Sequence, residues 1–292
     1  ILEERFQRIE SDPSSLLDES MRSILYPNHP YGRPIIGWKH EIMELNYDDV
    51  KSFYKTHYEP RNAVLVISGN INLKKAKEIV KKNFSKIKNS NTSKFKETLD
   101  PNLNSQVFVE KKHSTVKQDI WKKLYRADSY NKSIKRGIAL DLGMKIIAGG
   151  TSSLLYDEFV NRKKIFSMVG GFYQGLSRGE GYIYFYAIPN EKIEPKKIDN
   201  LIMEQIKILV KNELSLKRLE TEKKKYFYDS IYRMDGILKP SEIYGEALTV
   251  GLTLSEVENW NKNLDDITIE LVKEEMLKFI ENKNYVIGSL QN

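Results

Sequence analysis

The run Tyr31–Asn70, YGRPIIGWKHEIMELNYDDVKSFYKTHYEPRNAVLVISGN, constrains the fold more than any other, because its pattern occurs twice in the chain. A Gly/Pro loop leads to Asn46, a good N-cap, with Asp48 and Asp49 in the first turn, where carboxylates meet the positive end of the helix dipole. Val50, Phe53, Tyr54 and His57 follow at three- and four-residue spacing and share one helix face. Glu59-Pro60-Arg61-Asn62 stops the helix. Ala63–Ser68 (AVLVIS) is short, β-branched and nearly all apolar, the pattern of a strand buried on both sides. Gly69-Asn70 turns out of it, and a second helix begins near Leu73. Residues 267–292, ITIELVKEEMLKFIENKNYVIGSLQN, repeat the pattern: shifted by 222 positions, Val272 falls on Val50, Asn284 on Asn62 and Asn292 on Asn70. The identities are few and the match in pattern carries the argument. An internal repeat of domain size implies two similar α+β domains, the first copy short at its front.

The length of 292 residues suits two domains with real cores. A hydrophobic content of 40% and a charged content of 30% fit a soluble globular chain, and no apolar run approaches the ~20 residues of a membrane span. Cys is absent, which excludes disulfides, thiolate metal sites and cysteine nucleophiles and leaves the compartment open. The net charge of +7 comes mostly from lysines between 74 and 88 and between 192 and 225. They fall on the polar faces of expected helices, so the reading is solvated surface and not nucleic-acid binding. The chain opens on Ile1 in what reads as mid-helix, and the expectation is that the true N-terminus, with any targeting segment, lies upstream.

Taken in order, Ile1, Leu2, Phe6 and Ile9 form an apolar stripe. Ser11-Asp12-Pro13-Ser14 interrupts it, and a helix capped by Ser14 or Ser15 carries Leu16 to Leu25. A polar stretch, 91–104, reads as a linker between a first domain, 1–90, and a second, 105–292. In the second domain the expected strands are 106–110, 118–124, 166–173 and 182–188. Expected helices cover 133–148, 154–160 and 196–212, with another from Leu216. Each domain should be a mostly antiparallel sheet with helices packed on one face. Gly149-Gly150-Thr151-Ser152-Ser153 lacks the spacing and lysine of a phosphate loop and reads as a helix break.

Several of these stretches carry a resemblance. Leu2-Glu3-Glu4-Arg5, His29–Trp38 (HPYGRPIIGW), Tyr54–Tyr58 followed by Pro60-Arg61-Asn62-Ala63, the run to Gly69-Asn70, Ala148–Tyr156 (AGGTSSLLY) and Tyr186-Ala187-Ile188-Pro189 occur in an order that resembles the pitrilysin/insulinase family of zinc peptidases. That family includes the mitochondrial processing peptidases and their bacterial relatives. The resemblance implies hydrolysis of peptides by a zinc-bound water. Two histidines and a general-base glutamate come from an inverted H-x-x-E-H motif, and a downstream glutamate completes the ligands.

None of the histidines, His29, His40, His57 and His113, belongs to such a motif, so the catalytic base and two ligands are expected upstream of Ile1 and no catalytic residue in this chain. The resemblance puts Glu4 at the downstream zinc ligand, with Glu3 as the alternative; on a helix they point about 100° apart. In the second domain the zinc helix falls near Leu140, Gly143 and Met144, which cannot bind a metal. The family's arginine–tyrosine pair, which binds the substrate carbonyl and stabilises the oxyanion, should fall at Val160 and Ser167. Both are absent, and Arg162 and Tyr173 sit at the wrong spacing. Some bacterial relatives divide the labour between subunits. A chain with Glu4 and without the pair therefore implies a zinc-bearing endopeptidase subunit, inactive as this stretch alone, whose partner of the same family supplies the pair. The alternative is a non-catalytic structural or substrate-binding subunit, like the core subunits of the respiratory bc1 complex.

Overall fold

The structure, a computed structural model, describes residues 1–88 and 98–292. Residues 91–97 of the expected linker lie outside the described residues.

Helix α1 (Leu2–Arg5) runs into a π-helical turn, Phe6–Glu10. Helix α2 (Pro13–Leu25) follows, with Asp12 as its cap: the carboxylate accepts from the backbone N–H of Ser14 and of Ser15, each at 3.1 Å. The cap is thus Asp12 and not Ser14 or Ser15, because Pro13 fixes the first helical residue and needs no N–H partner there. Two short helices follow, α3 (Lys39–Glu44) and α4 (Tyr47–His57), and then α5 (Leu73–Phe84). Asn46 caps α4 in a capping box with Asp49, as the sequence indicates.

The second part holds β1 (Val107–Lys112), β2 (Ile120–Ala127), α6 (Ile134–Ala148), the short α7 (Leu154–Tyr156), β3 (Phe166–Gln174) and β4 (Gly181–Pro189). Then come α8 (Pro195–Asn212), α9 (Leu216–Arg233), α10 (Lys239–Val250), α11 (Leu254–Glu258), α12 (Trp260–Asp265), α13 (Ile269–Glu281) and β5 (Tyr285–Gln291). The five strands form one sheet in the order β1-β5-β2-β4-β3. β1 runs parallel to β5 and the other three pairings are antiparallel. The mostly antiparallel α+β architecture is the one expected.

On one face of this sheet lies the main core, built on α6, α8 and α13, with Ile138, Leu142, Ile202, Ile206 and Met276 against Trp121 and Phe185. Helix α6 is buried nearly all round, because the sheet, α9 and α13 close on it from different sides. Gly143 makes this possible: a Cβ there would stand 2.6 Å from Met276 Cγ. The opposite face is covered over β1, β5 and β2 by α2, from the N-terminal part of the chain. Its Leu17, Met21 and Leu25 pack on Leu124, Val286 and Leu290. Helices therefore lie on both faces, the second face being covered by α2 from the N-terminal part of the chain.

The run Ala63–Ser68, expected to be a strand, forms no strand; its Val64, Leu65 and Ile67 are exposed. A strand exists only when neighbours supply its ladder hydrogen bonds, and no described strand pairs with this run.

Candidate functional site

The site suggested by the sequence begins at α1. Its central contact is one the sequence reading missed. Arg5 is buried, and its guanidinium forks onto Glu19 of α2, with Nη1 to Oε2 and Nη2 to Oε1 both at 2.9 Å. Nη1 also donates to the Gly37 carbonyl at 2.8 Å, and Nε lies 3.3 Å from Glu10 Oε1. A two-pronged arginine–carboxylate contact fixes direction as well as distance. It pins α1 to α2 and to the 31–38 loop, so that the neighbouring carboxylates face outward. The hydrogen bonds donated to Glu19, opposed by burial and aided by the charges of Glu19 and Glu10, hold the Arg5 pKa above its ordinary value. The signal available in the sequence was the Glu-Glu-Arg run itself, whose arginine is the one charged member taken out of solvent.

Glu3 and Glu4 are both at the surface. Glu3 Oε1 accepts from Gln7 Nε2 at 2.8 Å. Glu4 Oε1 lies 3.1 Å from Arg8 Nη2, with the Glu4 side chain 49% exposed and that of Arg8 73%. Such an exposed pair is weak, so the Glu4 carboxylate can turn to a stronger partner. Zinc, however, takes three protein ligands in a catalytic site. Among the described residues no group of three or more His, Cys, Asp and Glu side chains could hold a metal ion. The described residues therefore do not make a zinc site by themselves.

The histidines have structural surroundings. The buried His29 accepts from Tyr31 N–H at Nδ1, 3.1 Å, and its backbone N–H donates to Asp100 at 3.0 Å. His57 packs on Phe53 with ring centroids 4.4 Å apart, and His113 Nδ1 lies 2.8 Å from Thr115 Oγ1. His40 is exposed on α3.

The second-domain positions are equally plain. Leu140, Gly143 and Met144 are buried in α6. Val160 lies in a π-helical turn, 157–162, and Ser167 on β3, where its hydroxyl donates to the Ile188 carbonyl at 3.2 Å. Arg162 is bound to Asp157 at 2.8 Å, and the buried Tyr173 hydroxyl donates to the Asp128 carbonyl. Neither substitutes for the expected pair. A cleft of about 920 Å³ opens where β2, α6 and α13 meet. Some of its charges pair, Arg136 with Glu274 at 2.8 Å and Asp128 with Lys132 at 2.8 Å and Lys278 at 3.1 Å, whereas the buried Nε and Nη1 of Arg126 have no hydrogen-bond partner among the described residues. Ser153 of the glycine-rich run caps α7, and Gly149 ends α6, so that run is the expected helix break. Among the described residues no helix is long and apolar enough to cross a membrane.

Similarity to known proteins now bears on this arrangement. The zinc protease PqqE of Helicobacter pylori is 26% identical over 226 residues, which cover 75% of this chain and 49% of the relative, so the chain spans about half that protein's length. In fold, a protease from Helicobacter pylori matches all of the chain and 70% of its own with a TM-score of 0.89 at 22% identity. A peptidase M16 inactive domain from Pseudomonas fluorescens matches 98% of this chain and 67% of its own with a TM-score of 0.80 at 17% identity. The family model described as "Peptidase M16 inactive domain" matches residues 44–226, crossing the expected linker and taking in the sheet from β1 to β4. With well over half its length under that match, the chain belongs to the M16 peptidase family, through the part of the fold that the family's description calls inactive.

Proposed function

We propose that this chain is part of a zinc-dependent endopeptidase subunit, in which Glu4 supplies one metal ligand and residues outside this stretch supply the others together with the general base. The observation that carries the reading is the outward Glu4 on a helix whose direction is set by the buried Arg5–Glu19 fork. Its similarity to a protein named as a zinc protease supports it. When bound, zinc would polarise a water for attack on a peptide carbonyl. The part of this chain is to hold Glu4 in place and to offer the sheet of the second domain as a wall for substrate. A partner subunit of the same family would bring the arginine–tyrosine pair that Val160 and Ser167 do not provide.

The test is zinc content and peptide hydrolysis of the full-length protein, wild type beside Glu4→Gln and Glu3→Gln, each with and without the co-expressed partner. One equivalent of zinc, lost in Glu4→Gln and kept in Glu3→Gln, is the expected result. Activity only with the partner present would support the divided site. A second reading is favoured by the description of the matched family model as inactive: a structural or substrate-binding subunit without zinc. A full-length protein that binds no metal would establish it and reduce Glu4 to a surface carboxylate.

A further inference from the structure

Helix α2 stands between the helix that carries Glu4 and the sheet, and charged groups fasten it to each. Leu17, Met21 and Leu25 rest on the sheet by apolar contact, which is strong but without direction. Direction comes from Lys122 of β2, whose side chain is 4% exposed. Its Nζ donates to the Ser14 hydroxyl at 2.7 Å, to Asp18 Oδ1 at 2.8 Å and to the Ser14 carbonyl at 3.2 Å. An ammonium has three N–H groups, and here all three go to two residues one turn apart on α2. The Tyr184 hydroxyl of β4 donates to the same Asp18 oxygen at 3.4 Å. Such a contact fixes where α2 lies along the strand and how it is turned about its own axis.

The other side of the same turn faces α1. Asp18 and Glu19 are consecutive, so α2 meets the sheet with one carboxylate and Arg5 with the next. Arg5 follows Glu4 directly in the chain. Ser14, held by Lys122, lies just beyond the π-helical turn Phe6–Glu10 that leads out of α1. Two routes therefore join Lys122 to the Glu4 helix. One runs through Asp18, Glu19 and the Arg5 fork, and the other along the backbone from Ser14. An apolar residue in place of a buried charge is often close to neutral for stability. What Lys122 supplies beyond packing is register.

We propose that Lys122 is a positioning residue for the Glu4 carboxylate: through Asp18, α2, Glu19 and Arg5 it sets the place of the metal ligand from the sheet. The inference rests on the reading of Glu4 as a zinc ligand and deepens it, since the sheet becomes part of what supports the metal site.

The test is Lys122→Met in the full-length protein, a change that keeps the side-chain length and removes the charge. The Asp18 side chain is 37% exposed and stays hydrated in the variant, so the urea midpoint should remain near wild type. The zinc dissociation constant, measured by chelator competition, should rise by about fivefold or more. Met21→Ala, which empties an apolar site under the same helix, should instead lower the midpoint. In metal-free protein Lys122→Met should speed amide exchange in residues 1–11 and leave α13 unchanged. Glu19→Gln should also weaken zinc binding. Combined with Lys122→Met it should lose less than the product of the two single losses, since both act along one path. If Lys122→Met lowers the midpoint as Met21→Ala does, Asp18→Asn, which leaves the Ser14 contacts in place, carries the test with the same expectations. Unchanged zinc affinity or unchanged exchange in the folded variant, or single losses that multiply, overturns the proposal. Zinc lost in Glu4→Gln but held at full affinity in Lys122→Met removes this inference alone. A full-length wild type without zinc removes the zinc reading and this inference with it.

Discussion

Helices α4 and α13 begin at the same position of the repeat, and their fates differ. Asn46 caps the first and Thr268 the second, 222 positions apart. Val50 and Val272 occupy the same place on the two helices, yet Val50 is 59% exposed and Val272 fully buried. Tyr54 is exposed where Met276 is buried. After the helix, β5 lies between β1 and β2, whereas Ala63–Ser68 has no ladder at all. One local code thus yields the same helix start twice and a strand only once. A helix closes its hydrogen bonds within itself, so capping and periodicity suffice to place it. A strand borrows every ladder bond from a neighbour. The first copy leaves its apolar stripe exposed, and Leu65 and Ile67 of its apolar run line a hollow of about 660 Å³ against α5, where the second copy has a core.

The largest test of this contrast is a matched pair of truncations. Met276→Ala should cost about 2–5 kcal/mol, the usual loss for emptying a buried site, while Tyr54→Ala should stay within about 0.5 kcal/mol. Urea unfolding of the two variants measures both, and comparable losses would break the comparison. A smaller test uses the caps. Thr268 Oγ1 accepts from Leu271 N–H at 3.3 Å and Asn46 Oδ1 from Asp49 N–H at 3.1 Å. Thr268→Ala should lower global stability by about 1 kcal/mol. Asn46→Ala should leave the global transition in place and instead speed amide exchange in α4, because that helix is held by little else.

The smallest effect concerns pH. Asp141 lies on α6 with its side chain mostly buried and Lys145 Nζ 3.9 Å away. Burial pushes the carboxyl pKa up, with Lys145 opposing. The folded state therefore holds this proton more firmly than the unfolded chain does, and stability falls as pH rises from the ordinary aspartate value through the raised one. Asp141→Asn should accordingly gain in melting temperature relative to wild type at pH 7 compared with pH 3.5, with differential scanning calorimetry as the readout. Its absence would mean that the second copy's core is less dry than its packing indicates.

Much of the stretch from β1 to β5 was legible in the residues. The strands at 166–174 and 181–189, the helices at 134–148 and 195–212 and the closing helix and strand lie where alternation, helical spacing and glycine breaks put them. Helices α10 to α12 were missed because their apolar residues are few and interrupted, as in Lys239–Val250. Of the candidate site, Glu4 and Glu3 were found through a family resemblance, and their exposure could be read from no local pattern. Arg5 was missed because a charged residue on a short helix looks solvated until its partner, 14 positions away, is known.

Strand β2 marks the boundary between the two kinds of information. The sequence Ile-Trp-Lys-Lys-Leu-Tyr-Arg-Ala by itself determines an extended segment from its aromatic and β-branched members. It says nothing of Lys122, Lys123 and Arg126 being buried. Only the tertiary structure decides that. Asp18 arrives from α2 and Asp199 from α8 to meet the two lysines at 2.8 Å each, and the Pro101 carbonyl accepts from Arg126 at 2.6 Å. Caps, breaks and periodic faces are set by neighbours within a few residues and are written in the sequence. A buried charge is tolerated only where a distant segment brings the opposite charge or a carbonyl, and the fold alone determines which segments meet.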